Sequence, residues 1–480
     1  MRNTTPFFAG FHRLLFGRAQ RSAQHQLRAQ AQTLEQASLC QLGKVCAPWV
    51  PARLLKPNAR GAHSRRRSFP QGLTFWAFLS QVLSPGSPCR ETVRKVQAWY
   101  TARRLPRPAS DTGAYCRARS RLSVDTLRRV HRHTADELQR RVSSDQLWCG
   151  RSVKVVDGTG VSMPDTPQNQ RAFPQPSNQK KGCGFPVAKL VGCFCLASGA
   201  LLHWAEGTQH VHERKLFRKL FRFFVPGDIA LTDRGFCSYV DIATLLRVGV
   251  DTVMRLHQAR PRDLRKGKRL GPNDRLVTWQ KPRQRPRGCT LTDWRRAPDT
   301  LALRLVYVSV NVPGFRTQSL VVVTTLTDPV AYPAEEIARL YLRRWAVELF
   351  FRDIKITLGM DVLRCQTPAM VRKEIVMHAI AYNLIRAIMQ QAAALYHVPI
   401  ERLSFKGSVD TLRQWTDTLN AAHDRPREQA RLFNQLLQIL AEDIVPFRPE
   451  RAEPRVRKRR PKAYPLMTKP RQEYHLAWAS

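Results

Sequence analysis

Short apolar runs between residues 152 and 256 constrain the fold of this 480-residue chain more than any other feature. The runs read "SVKVVDGTGVSM", "KLVGCFCLASGALLHWAEG", "DIALTDRGF" and "VDTVMRL", and the second holds two strands around a turn at Ser198-Gly199. Helical patterns, "VHERKLFRKLFRFF" and "SYVDIATLLRVG", separate the last three strands. The order β-β-β-α-β-α-β predicts an α/β fold built on one sheet.

Basic helical segments flank these runs. The sequence predicts helices over 73–83, 89–104 and 122–142, with Ser123 as an N-cap. Residues 258 to about 300 are basic, rich in proline and poor in regular pattern, and two further strands, "LALRLVYVSVNV" and "SLVVVTTLTD", follow them. Helices are then predicted from Pro333 to about 445, before a cationic tail at 455–462.

The charge balance indicates a polyanionic partner. The chain has 80 Lys and Arg residues against 36 Asp and Glu, a formal charge of +44. Neutralising phosphates releases counterions, so nucleic acid accounts for this excess better than a small-molecule substrate does. No membrane-spanning helix is expected, because no long apolar run exists. The 11 cysteines show no paired C-x2-C spacing, which is typical of a reduced, cytoplasmic protein.

The stretch "YLRRWAVELFFRDIK", residues 341–355, is strongly amphipathic when drawn as one helix. Tyr341, Arg344, Glu348 and Lys355 fall on a single narrow stripe, separate from an apolar stripe. Taken alone, the polar stripe is most simply a solvated face with an i,i+4 Arg–Glu pair.

Two aspartates stand where strand patterns break. Asp157 and Asp233 each follow a β run and precede a glycine or an Arg-Gly pair, which is also ordinary turn chemistry. An Asp on a first strand, an Asp ending a fourth strand and a Glu such as Glu348 on a late helix together offer oxygen ligands for Mg²⁺. Two such ions can promote phosphoryl transfer.

These motifs resemble the IS4 family of DDE transposases. The family has a first Asp in a D-G-T context, matched by "VVDGT" at Asp157, and a second in "TDRGF", matched at Asp233. Its signature, Y-(2)-R-(3)-E-(6)-K, is met without a gap from Tyr341 to Lys355. The resemblance covers roughly 150–395 well and the two ends only loosely.

The resemblance implies an RNase H-like catalytic core with a β-rich insertion, flanked by helical N-terminal and C-terminal regions. Asp157, Asp233 and Glu348 would be catalytic ligands of two Mg²⁺ or Mn²⁺ ions. Tyr341, Arg344 and Lys355 would hold DNA phosphates, and Arg352 and Arg255 are further candidates for that role. The implied divisions are a basic DNA-binding region at 1–150, the core at 151–257 and 329–395, the insertion at 258–328, and a helical region with the basic tail at 396–480.

The expected function is cut-and-paste transposition of an insertion sequence. The expected partners are double-stranded DNA, both transposon ends and target, and a second copy of the chain in a synaptic complex. The expected location is the bacterial cytoplasm, at the nucleoid, without a membrane. Two alternatives stay open at this point: an RNase H-like metal-dependent nuclease or resolvase, and a DNA-binding protein derived from a transposase.

Overall fold

A computed structural model describes residues 49–56, 68–102, 106–258, 260, 267–286, 288–310, 319–422, 425–446, 466–470 and 473–474. The basic tail at 455–462 therefore lies outside the described residues. The chain divides into two compact units. The helical unit comprises 1–141 and 352–446, and the sheet unit comprises 142–351 and 447–480.

The secondary structure is mixed. The α-helices of the described residues are α1 (Gln71–Leu83), α2 (Cys89–Ala102), α3 (Gly113–Arg121), α4 (Val124–Arg140), α5 (Pro167–Ala172), α6 (Glu213–Arg218), α7 (Tyr239–Arg247), α8 (Leu291–Arg296), α9 (Ala334–Arg343), α10 (Ala346–Arg352), α11 (Pro368–Tyr396), α12 (Phe405–Ala421) and α13 (Pro426–Glu442). The strands are β1 (Val153–Ser162), β2 (Val187–Cys195), β3 (Leu201–Thr208), β4 (Ile229–Thr232), β5 (Asp251–Arg255), β6 (Lys268–Gly271), β7 (Asp274–Gln280), β8 (Thr300–Ser309) and β9 (Ser319–Thr324).

The nine strands of the described residues form one mixed sheet in the order β3-β2-β1-β4-β5-β9-β8-β7-β6. The first three strands pair antiparallel, whereas β1, β4 and β5 run parallel. Every residue of β4 is buried, as expected for a central parallel strand. The predicted RNase H-like core is confirmed by this 3-2-1-4-5 arrangement within an α/β fold.

Strands β6 to β9, from the segment expected to be an insertion, extend the same sheet beyond β5. The sequence did not predict β6 and β7, which form a tight hairpin around Pro272 and Asn273. A hydrophobic cluster in the sheet unit joins residues of β1, β4 and β5 to helices α6 and α7. Its members include Val156, Ala230, Met254, Leu216 and Ile242.

The helical unit contains the three N-terminal helices that the sequence predicted. The Ser123 hydroxyl accepts a hydrogen bond from the Asp125 N–H at 3.2 Å, so the predicted N-cap is confirmed. Helix α11 is buried along most of its length, with aliphatic side chains and the aromatic ring of Tyr382. No helix among the residues that the structure describes is both long and apolar enough to cross a membrane.

Candidate active site

Strand register places Asp157 and Asp233 side by side. β1 and β4 are parallel, and Val156 pairs with Thr232, the last residue of β4. Asp157 follows Val156 and Asp233 follows Thr232, so the two aspartates are neighbours across the two strands. The expectation that Asp157 ends its strand is wrong: β1 continues to Ser162 because β2 still pairs with it, and only β4 stops at this level.

Helix α10 reaches this edge of the sheet because β2 has a glycine there. Gly192 pairs with Asp157, and a Cβ on Gly192 would lie 3.1 Å from the Cζ of Phe351. Phe350 and Phe351 both contact the ring of Phe194, at centroid distances of 5.5 and 5.1 Å. These contacts hold α10 against β2, and Glu348 lies in the first turn of α10.

Arg344 joins two of the three acids. Its Nη1 lies 3.4 Å from Asp157 Oδ2, and its Nη2 lies 3.4 Å from Glu348 Oε1. The Arg344 side chain is only 8% exposed, whereas that of Glu348 is 50% exposed. The buried Nε of Arg344 has no hydrogen-bond partner among the residues that the structure describes, so this guanidinium retains one donor there.

The segment 341–355 is not the single straight helix that the stripe assumed. Helix α9 ends at Arg343, a turn covers Arg344 and Trp345, and α10 begins at Ala346. A π-helical turn, Asp353–Thr357, follows, so Lys355 does not keep the angle around the helix axis that a regular α-helix would give it. The turn directs Arg344 toward Asp157 while still pairing it with Glu348, four residues later.

Tyr341 lies among the charges of Arg344, Asp233 and Arg255. Tyr341 is buried, and burial raises the pKa of its hydroxyl. Arg344, which is hydrogen-bonded to Tyr341, lowers this pKa through its positive charge. The negative charge of Asp233 raises the pKa of Tyr341, and the positive charge of Arg255, the last residue of β5, lowers it. Tyr341 therefore interacts electrostatically with three other predicted residues, Arg344, Asp233 and Arg255.

The carboxylate form of Asp157 is disfavoured by burial and by neighbouring acids. Burial raises the pKa of its carboxyl to about 6, although the Gly158 N–H, which donates to Oδ1 at 2.7 Å, and the Arg344 cation both lower it. The negative charges of Asp233 and Glu213 raise this pKa further. A buried acid with acidic neighbours gains most from a bound cation.

The sequence did not predict the proximity of Glu213. This residue begins α6, and a Cβ placed on Gly158 would lie 2.7 Å from its carboxyl carbon. Glycine in the "DGT" motif therefore leaves room for a second acid next to Asp157. No spacing pattern marks Glu213, since the contact depends on how α6 packs on the sheet.

Arg352 and Lys355 belong to the helical unit. The Arg352 side chain is 63% exposed and lies 3.9 Å from Asp353, measured from Nη2 to Oδ1. Lys355 is half-buried on the π-helical turn. Their predicted contacts with DNA stay predictions.

The donor set of Asp157, Asp233 and Glu348 fits a hard divalent cation, because all the available donors are carboxylate oxygens. Within the described ranges, no group of three or more His, Cys, Asp or Glu side chains is close enough to share one ion. Arg344 accounts for this spacing, since its guanidinium stands between two of the carboxylates. The arrangement is that of acids held apart around a protein cation.

Comparison with known proteins agrees with these features. Residues 148–384 match the family model described as a transposase DDE domain. The chain is 28% identical over 444 residues to the transposase InsG for insertion sequence element IS4 of Escherichia coli (strain K12), covering 90% of this chain and 95% of that protein. A cryo-EM structure of a piggyBac transposase synaptic complex with hairpin DNA aligns with a TM-score of 0.41 and 10% identity, over 86% of this chain and 85% of the other. The resemblance predicted from the motifs is confirmed: the chain contains a transposase DDE domain and is a relative of the IS4 transposase.

Proposed function

We propose that this transposase cuts DNA at the ends of an insertion sequence and joins the freed ends to target DNA. The observation that carries the proposal is the contact of one guanidinium, that of Arg344, with both Asp157 and Glu348. Asp233 occupies the adjacent position across β1 and β4. Two of the three acids of the family pattern thus share one cation, and the third directly follows the strand next to Asp157, which supports the proposal.

The carboxylates of Asp157, Asp233 and Glu348 would hold two Mg²⁺ or Mn²⁺ ions. When bound, these ions would supply activation of the attacking oxygen and stabilisation of the leaving oxygen. The carboxylates would set where the ions bind relative to the end of β4, and the cationic side chains would hold the phosphodiester there. No covalent bond between protein and DNA is required by this arrangement.

The cationic residues would bind the DNA phosphates. Arg344 has a free Nε donor and would exchange its carboxylate contacts for a phosphate when cations neutralise the acids. Tyr341, Arg255, Arg352 and Lys355 would contact phosphates on the flanking nucleotides. The excess of 80 Lys and Arg over 36 Asp and Glu residues suits a long stretch of bound DNA. Joining two ends calls for two copies of the chain in one synaptic complex.

A strand-transfer assay tests the proposal. Purified protein is incubated with Mg²⁺, a linear donor carrying the element's ends, and a supercoiled target plasmid. We expect excised element and, later, element joined to the plasmid. Cutting without joined product would indicate a nuclease, and binding without cutting would indicate a DNA-binding protein; either result overturns the proposal.

A matched pair of variants shows whether the products depend on the proposed site. Asp157→Asn should abolish both excision and joining. Asp165→Asn, which changes an exposed aspartate of the same unit, should leave both unchanged. Equal loss in the two variants would mean that the effect does not come from the site.

A further inference from the structure

Two cysteines of the helical unit share one arginine. Cys89 begins α2, Cys116 lies within α3, and Arg119 lies one turn after Cys116. Nη2 of Arg119 donates to the Cys89 sulfur at 3.2 Å and to the Cys116 sulfur at 3.8 Å. Gln81 donates from Nε2 to the Cys89 sulfur at 3.6 Å. The side chains of Cys89 and Cys116 also hydrogen-bond to each other.

Hydrogen bonding and the Arg119 cation favour a thiolate at Cys116 over one at Cys89. The hydrogen bond from Cys89, followed by the Arg119 cation, lowers the pKa of Cys116 to about 5 although burial opposes this. The hydrogen bond to Cys116, together with burial, raises the pKa of Cys89. Because Arg119 contacts both sulfurs, the charge is shared across a thiol–thiolate pair. The neighbouring Tyr115 and Cys365 stay neutral, since burial raises the pKa of each.

A small reagent has a route to this pair. Cys89 and Arg119 line a cavity of about 480 Å³, and Cys89 and Cys116 are each only partly buried. Ser87 and His378 line the same cavity.

We propose that Cys89 and Cys116 form an oxidation site at which a hydroperoxide converts the dithiol to a disulfide. The thiolate attacks one peroxide oxygen, the O–O bond breaks, and a sulfenic acid and water (or an alcohol) are produced. The second cysteine attacks that sulfur, the S–S bond forms, the S–O bond breaks, and a second water leaves. Two electrons pass from the two sulfurs to the peroxide, and Arg119 stabilises the attacking thiolate.

Two other cysteines of the described chain, Cys149 and Cys193, differ from this pair in their environment. Cys149 is largely exposed, yet the partial loss of solvent around its sulfur raises the pKa of its thiol, and the negative charge of Glu336 raises it further. Cys193 is buried, and burial raises the pKa of its thiol as well. Since the thiolate is the reactive form, oxidation is expected at the pair before Cys149, even though Cys149 is more accessible.

Peptide mass spectrometry of the full-length protein tests the proposal. The reduced protein is treated with one equivalent of hydrogen peroxide at pH 6, quenched with iodoacetamide and digested. We expect the Cys89–Cys116 linked peptide as the first product, formed at least about tenfold faster than any oxidation of Cys149. Dithiothreitol should restore both thiols. First oxidation at Cys149 or at any other cysteine overturns the proposal.

Variants separate the roles of the two sulfurs and the arginine. Cys116→Ser should give no linked peptide, and Arg119→Gln should slow its formation at pH 6 by about tenfold while leaving Cys149 unaffected. Cys149→Ser is the matched control and should form the linked peptide at the unaltered rate. Thermal unfolding of each variant confirms that it is folded. A linked peptide that forms as fast without Arg119 would show that the guanidinium does not activate the pair.

Discussion

Gly192 lies directly opposite Asp157 in the antiparallel pair of β1 and β2. The missing side chain admits the ring of Phe351, and this contact seats α10 on the sheet. The position of Glu348 relative to Asp157 therefore depends on a residue with no functional group of its own.

We predict that Gly192→Ala damages cleavage without touching an acid. The new Cβ would lie 2.8 Å from Phe194 Cε2 and 3.1 Å from Phe351 Cζ, and rigid rings cannot yield as a flexible side chain does. The expected cost is about 1–3 kcal/mol in the free energy of unfolding, with a lower cleavage rate. Gly235→Ala is the control, because its Cβ would meet nothing within 4 Å. Equal unfolding midpoints in the two variants would contradict this packing account.

Arg344→Lys should lower the cleavage rate although it keeps the charge. A lysine ammonium is a compact point charge and cannot make the two parallel N–H contacts that the guanidinium would make with a DNA phosphate. Losing one charge-assisted hydrogen bond costs about 1.5–3 kcal/mol, which corresponds to roughly 10- to 100-fold in rate. Single-turnover nicking of an end fragment measures this. A wild-type rate would mean that Arg344 acts only through its charge.

Lys355→Ala should weaken the complex with DNA ends in a salt-dependent way. If Lys355 neutralises one phosphate, the slope of log K against log salt should fall by about one unit. Lys406→Ala is the control, since that exposed lysine pairs with Asp410. Fluorescence anisotropy over a salt series measures both slopes. An unchanged slope for Lys355→Ala would remove it from the phosphate contacts.

His378 should make the protein sensitive to acid. Burial, reinforced by the Arg364 cation, lowers the pKa of its imidazole from 6.5 to about 3. Below pH 6.5 the unfolded chain binds a proton that the folded chain refuses, so stability falls as pH drops through this window. The loss contributed by His378 at pH 5 is about 2 kcal/mol.

Comparing variants isolates this contribution. In His378→Gln, the difference between the unfolding free energies at pH 7 and pH 5 should shrink by that amount, whatever the variant's absolute stability. His397→Asn, at an exposed position with a left-handed φ of 55°, should leave the difference unchanged. An unchanged difference in His378→Gln would show that the imidazole accepts a proton in the folded state.

Sequence reasoning located the parallel strands and their acids because apolar runs and strand ends follow local rules. It missed the hairpin of β6 and β7, where basic and proline-rich flanks masked the turn at Pro272 and Asn273. It also extended one helix through Arg344 and Trp345, where the chain turns. Helical periodicity alone contains no information about such a turn, because the contact that favours it is made with Asp157, 187 residues away.

The candidate site was predictable in its residues but not in its geometry. The spacing of motifs singled out Asp157, Asp233 and Glu348. It did not reveal that Gly192 seats α10, or that Glu213 lies against Gly158. Both contacts depend on the space beside a glycine that has no side chain. The sequence alone does not show which residues of the fold fill that space.

The most direct test of the account is the rate of Mg²⁺-dependent nicking of an end-containing DNA by Asp157→Asn, Asp233→Asn and Glu348→Gln. Glu335→Gln, an exposed glutamate in the first turn of α9, serves as the control. We predict that each of the three site variants loses more than about a hundredfold in nicking rate while retaining wild-type affinity for the DNA. The control should nick at the wild-type rate. Near-normal nicking by any one of the three would contradict a shared catalytic site.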